Sequence, residues 1–288
     1  MDEMFELLWQ KYRTWSVTSV AFKQKNAAWR RNVLILTIGG TALATLGPFA
    51  PAPLSRILPM IGAAALALAT YFGRELLDTK HEEQWTRARA AAEALKSEAF
   101  KYLVQAPPYD VPERAVRLKD RLAEINGVTK DQTPRDLSAD ERRKGMPQAP
   151  WTVDQYLTDR VGEQVTWYRT KAAEHSASTR TGRIIALSLG AAAVLLSTVT
   201  GATDNNQTVW AAILGVVTTA AGSIGAYYQA GHFEAIALKY RAAADALEAL
   251  AAAFRTGQDK ANLVSNAEAI MQAENAAWLT QLTTTPAS

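Results

Sequence analysis

Cysteine is absent from the 288 residues, so the chain has no disulfide framework, thiol nucleophile or cysteine-based metal site. Histidine is scarce. His81, His175 and His232 show no ligand spacing, and solvated or interfacial imidazole is the expected state of all three. Neither a glycine-rich phosphate loop nor a nucleophile elbow occurs. Together these gaps predict that the chain is not an enzyme and needs no cofactor or metal. A formal net charge of +3 is too small to imply a nucleic-acid partner. The amino terminus, Met-Asp-Glu-Met-Phe-Glu, lacks the basic start and apolar core of a signal peptide and is expected to stay in the cytoplasm.

Charge of either sign is also missing from four long stretches, although 20% of the residues are charged overall. Asn32 to Ser55 is the first, and its Pro48, Pro51 and Pro53 place a turn after a span ending near Gly47. Ile57 to Gly73, rich in alanine, is close to the lower limit for a bilayer crossing. Ile184 to Thr203 and Val209 to Phe233 follow in the second half, separated by a polar turn containing Asp204. Helices satisfy their own backbone hydrogen bonds where no water is available, so each pair of stretches predicts a transmembrane helical hairpin.

Outside the hairpins the pattern is helical and amphipathic. Leu8, Tyr12, Trp15, Phe22 and Trp29 recur at heptad-like spacing, with Ser19 and Asn26 as imperfections of the seam. After the first hairpin, Trp85, Ala88, Ala92, Leu95, Ala99 and Tyr102 alternate by three and four until Pro107 and Pro108. A charged, proline-containing segment covers 110–150, where Asp110 with Pro112 can open a short helix and Ser138 with Glu141 has capping-box spacing. Linker and ordered surface wrap both remain open for the rest of it. A further helix starts near Trp151 and runs through Leu157, Val161, Val165 and Tyr168. Beyond the second hairpin, Phe233, Ile236, Tyr240, Ala243, Leu247, Leu250 and Phe254 make the cleanest heptad series; Gly257 ends it and an amphipathic segment from Lys260 to Leu282 follows.

The two halves resemble each other. Tyr12-Arg13-Thr14 before the first hairpin matches Tyr168-Arg169-Thr170 before the second, and the Arg89 to Leu95 stretch after the first matches Arg241 to Leu247 after the second. The offset is about 155 positions in both cases, as duplication of a hairpin with its arms would leave. Lys23, Lys25, Arg30, Arg31, Arg74 and Lys80 lie at the open ends of the first hairpin, and Arg180 and Arg183 at that of the second. By the positive-inside rule both termini and the central segment are cytoplasmic, which makes the repeats parallel.

Arg160, Gln164, Trp167-Tyr168 and Lys171-Ala172 before the second hairpin, with Tyr240 and Arg241 after it, resemble the arms of the bacterial SLATT domain, a two-transmembrane effector domain found beside nucleotide-signalling genes. Trp85, Arg89, Glu93, Leu95-Lys96, Glu98, Phe100, Tyr102 and Pro108-Tyr109 resemble the corresponding arm of a related branch, and Val264, Glu268, Glu274 and Trp278 are similar to the family's terminal helix. The resemblance implies a membrane pore, in some members the lethal arm of a conflict system, and an upstream nucleotide-signalling partner.

The expected architecture is all-α and integral to the membrane, with two tandem hairpins and helical extensions forming cytoplasmic bundles. The first repeat occupies 1–109 with spans at about 33–47 and 57–73, and the second occupies 151–288 with spans at about 184–203 and 209–230. No span contains a charged residue, which argues against a proton relay. Thr37, Thr41 and Thr45 share one helical face, Ser197 is the repeat equivalent of Thr41, and Thr219 and Ser223 lie one turn apart. These hydroxyls either line a watery path or bond back to helical carbonyls and glue neighbouring helices. Tyr12, Trp15, Trp85, Arg89, Trp167, Tyr168, Tyr240 and Arg241 are candidates for arm packing or gating, expected first to pack within their own half. The functional expectation is a homo-oligomeric pore or ion channel of the inner membrane. The alternative is a non-conducting, membrane-anchored scaffold whose arms recruit a soluble partner.

Overall fold

The proline-rich turn at 48–53 and the polar breaks between long uncharged runs dictate where helices end, and the computed structural model follows those breaks. It describes residues 3–76, 79–148, 150–202, 206–257 and 262–283, with side chains at 75, 76, 79, 230 and 274–283 outside the description. Asp204, Lys260, and the side chains of Glu274 and Trp278 therefore lie outside the described residues. No strand occurs among the described residues. Helix α1 (Glu3–Leu46) ends at a 3-10 turn, Gly47–Phe49, with proline in its first positions, and α2 (Leu54–Leu76) returns. Next come α3 (Thr79–Leu103), α4 (Arg114–Val128), α5 (Ala139–Arg143) and α6 (Val153–Gln155). A π-helical segment, Tyr156–Gly162, leads into α7 (Glu163–Ala202), and α8 (Gln207–Ala230), α9 (Phe233–Arg255) and α10 (Leu263–Thr283) complete the chain.

The chain divides into two compact units. The hairpin unit is Lys25–Asp78 with Ala173–Ala237, and the arm unit is Met1–Gln24, Thr79–Ala172 and Leu238–Ser288.

In the hairpin unit, four helices are long and apolar enough to cross a membrane, and the most apolar window of each is at most 11% buried. At 1.5 Å per residue, the 23 residues of α2 and the 24 of α8 reach about 35 Å, more than the hydrocarbon thickness of a bilayer. Large apolar side chains face outward: Met60 is 72% exposed, Leu187 68% and Leu195 67%. That much outward apolar surface is stable in lipid and not in water, and the protein is a multi-pass membrane protein. Each hairpin closes on a small residue. A Cβ at Gly62 would collide with the Ala44 backbone and come within 2.7 Å of the Gly40 carbonyl, so α1 and α2 meet almost backbone to backbone. In the second hairpin, a Cβ at Gly182 would run into the Tyr228 ring.

The arm unit has a conventional core. Phe5, Leu8, Leu95, Tyr102, Leu118, Tyr156, Tyr168, Leu247 and Leu263 are buried, which places the apolar seams of α1, α3, α7 and α9 inward. The segment at 110–150 is an ordered wrap. Leu118, Leu122, Ile125 and Leu137 are buried; the Trp9 indole donates to the Lys144 carbonyl at 3.3 Å, and the Arg135 amide donates to the Thr18 hydroxyl at 2.9 Å. Ser138 and Glu141 form a capping box, and so do Thr152 and Gln155 at the start of α6.

Candidate functional site

A deeply buried ion pair of the arm unit joins the π-helical segment to α10. Arg160, 4% exposed, donates from Nε to Glu268 Oε1 at 3.0 Å and from a terminal nitrogen to Oε2 at 3.1 Å, while Glu268 is fully buried. The remaining terminal nitrogen donates to Gln164 Oε1 at 3.1 Å, and the Tyr156 hydroxyl donates to Glu268 Oε1 at 2.8 Å. The guanidinium stands 4.7 Å from the centroid of the Phe100 ring on α3, so its flat face is also covered. Every charged atom thus has a partner, which a dry ion pair requires.

Electrostatics follow from that geometry. Burial works against the charge on Arg160, but the Glu268 carboxylate outweighs it and holds the guanidinium above its usual range. Burial, followed by the Glu268 charge, raises Tyr156, which stays a neutral donor. Lys96, whose ammonium lies 5.8 Å from the Tyr12 ring centroid, is pushed down by burial and then by the positive charge of Arg160. Tyr12 itself is raised by burial and by Glu93.

A second buried carboxylate sits on α3. Glu98, 3% exposed, accepts from the Tyr109 hydroxyl at 2.6 Å and faces Lys101 and Arg121, each at 3.5 Å. These residues line one side of a groove of about 440 Å³ that also includes Arg117, Asp120 and Glu124. Cations and carboxylates are balanced there, so the groove favours no ligand charge. Among the described residues, no group of three or more His, Asp or Glu is placed to hold a metal.

A family model described as SMODS and SLOG-associating 2TM effector domain 3 matches residues 10–149, and one described as SMODS and SLOG-associating 2TM effector domain 1 matches residues 156–278. The chain belongs to the SLATT family. It carries two SLATT domains in tandem, and the internal duplication read from the sequence is the duplication of that domain. No curated protein and no solved structure matches.

The SLATT-like residues quoted from the sequence are gathered by the fold. Arg160, Gln164 and Glu268 form one network in the second domain, and Glu98 with Tyr109 form another in the first. Trp167, Tyr168 and Tyr240 make a three-ring cluster between α7 and α9, with centroids 5.3–5.5 Å apart. Beside it Arg169 grips Glu248 at 2.7 Å and Asp245 at 3.2 Å. In the first domain Trp15 is buried, Trp85 is half-buried under Arg89 at 5.9 Å, and Trp9 meets Tyr12 at 4.9 Å and Phe100 at 6.3 Å. Arg241 is exposed on α9. The arms therefore pack within their own SLATT domain, and they also pack across domains. Phe100 of the first touches Trp151 at 5.5 Å and Tyr156 at 6.3 Å, and α10 of the second lies on α3 of the first. Heptad spacing reports which face of a helix is buried but not which partner covers it, so this exchange was invisible in the sequence.

In the hairpin unit the hydroxyls bond backward. Thr37 donates to the Val33 carbonyl at 2.9 Å, Thr41 to Thr37 and Thr45 to Thr41 at 2.8 Å, and Ser197 to Val194 at 2.7 Å. Thr37, Thr41 and Thr45 form a continuous half-buried ladder on α1; Ser197 is exposed on α7, and Thr219 and Ser223 are half-buried on α8. A back-bonded hydroxyl keeps free lone pairs, so the ladder has satisfied donors and still offers acceptors along one face.

Proposed function

We propose that this tandem SLATT protein is the subunit of a homo-oligomeric pore or ion channel in the inner membrane, with both termini cytoplasmic and no enzymatic step. The observation that carries this reading is the open apolar surface of the hairpin unit: four helices are long and apolar enough to cross a membrane, and the most apolar window of each is at most 11% buried. The open surfaces of all four spans support assembly from several copies, since one chain offers too few helices to surround water. The description of the family as SMODS- and SLOG-associating supports an upstream nucleotide-signalling partner acting on the arms.

Planar-bilayer recording of the purified oligomer tests the reading. Discrete conductance steps are expected, with unitary current altered in a Thr41→Leu, Ser197→Leu double variant. Bilayers as quiet with the protein as without it would overturn the channel and leave the membrane-anchored scaffold; unaltered current in the variant would remove the hydroxyls from the path.

A further inference from the structure

Five cations stand at the open ends of the two hairpins. Lys25, Arg31, Arg74, Arg180 and Arg183 are all exposed, all belong to the hairpin unit, and none forms an ion pair with another described residue. In the first hairpin their level is fixed by an aromatic contact. Trp29 and Phe72 lie 5.1 Å apart, and Arg31 and Arg74 each follow two residues later in their own helices. Tyr71, next to Phe72, is 60% exposed. In the second hairpin Gly182 lies against the Tyr228 ring, which sets Arg180 and Arg183 beside Tyr227 and Tyr228.

Aromatic rings with a polar edge settle at the headgroup level of a bilayer. Cations one turn away from them reach the phosphate layer. Acidic residues near this end are few: Glu174 and Glu234 lie on α7 and α9, and Glu75 and Asp78 follow Arg74 in sequence. The opposite end of the first hairpin carries only Arg56.

We infer that this collar is a binding surface for anionic phospholipid headgroups, one arginine or lysine set on each hairpin, with the rings anchoring its depth. The partner is a lipid phosphate, held by charge and by the forked donors of four arginines, and it is taken up whether or not the protein conducts.

Native mass spectrometry of the full chain from mixed phosphatidylglycerol and phosphatidylcholine micelles is the test. An enrichment of phosphatidylglycerol of about fivefold or more is expected, the attraction of roughly one cation for an anionic surface. It should fall as salt is raised and shrink to parity when the five residues are changed to Gln, while a Lys119→Gln, Lys130→Gln control, on α4 and just after it, keeps it. Equal retention of both lipids by the wild-type protein would overturn the inference, as would enrichment indifferent to salt. Enrichment surviving in the five-residue variant, or displacement of the lipid by millimolar inorganic phosphate, would do the same. If the variant fails to insert, the wild-type lipid ratio and its salt dependence decide alone.

Discussion

Removing the Glu268 carboxylate tests whether the arm unit depends on its buried ion pair. In Glu268→Ala the guanidinium of Arg160 remains 4% exposed, its two bonds to carboxylate oxygens vanish, and the Tyr156 hydroxyl loses its acceptor. An orphaned buried charge costs about 3–5 kcal/mol. For a unit of this size 1 kcal/mol corresponds to about 2–4 °C, so the melting temperature should fall by roughly 6–20 °C. The pair itself has a different worth. Desolvation of two ions offsets most of their attraction, so an Arg160→Leu, Glu268→Leu variant, with no charge left to orphan, should recover much of the loss. The assay is thermal unfolding in detergent followed by far-ultraviolet dichroism, with near-ultraviolet signal as a second probe of the aromatic core. A Glu268→Ala protein melting within about 2 °C of wild type would refute the reasoning, since 3 kcal/mol cannot be hidden in so small a shift. A double variant as unstable as the sum of the two single changes would refute the pairing argument as well.

The Tyr109 phenol, buried and donating to Glu98, is held well above its ordinary range by burial and then by that bond. A raised folded-state value means stability that is complete below the unfolded value and lost as pH climbs past it; the melting temperature should therefore hold up to about pH 10 and decline above, with a shallower decline in Tyr109→Phe. In the first hairpin, Gly62→Ala forces apart the backbones of Ala44 and Gly40 and should cost about 1–3 kcal/mol. Gly39→Ala, with nothing within 4 Å of the added carbon, is the matched control, and equal melting of the two would show that the helices are not in close contact.

The hairpins were legible because twenty uncharged residues in a row have few soluble explanations, and the prolines at 48, 51 and 53 mark the first turn without ambiguity. Family membership was legible from ordered pairs of residues on either side of a hairpin. The role of those residues was not. Arg160 and Glu268 are 108 positions apart, and an arginine on the polar side of an amphipathic series reads as solvated until its partner is known. The π-helical segment has no periodic signature, since its sequence continues the apolar spacing of the helices around it. The hydroxyl ladder was half legible: spacing put Thr37, Thr41 and Thr45 on one face, but that each donates to the turn before it is a property of the folded helix.

Duplication has left two domains whose buried carboxylates have unequal surroundings. Each retains a buried carboxylate in its arms, yet Glu98 is met by a phenol and two half-covered cations beside an open groove, whereas Glu268 is sealed by Arg160, Tyr156 and an aromatic face. Phe100 supplies that face from the other domain, and α10 rests on the same helix that presents it. The terminal helix of the second domain is therefore held by two different surfaces at once, the π-helical start of its own α7 and the α3 of its neighbour. A contact shared in this way ties the two domains of the arm unit together, because displacing α10 would expose the Phe100 face and orphan the buried Arg160 charge at once, and an orphaned buried charge is costly.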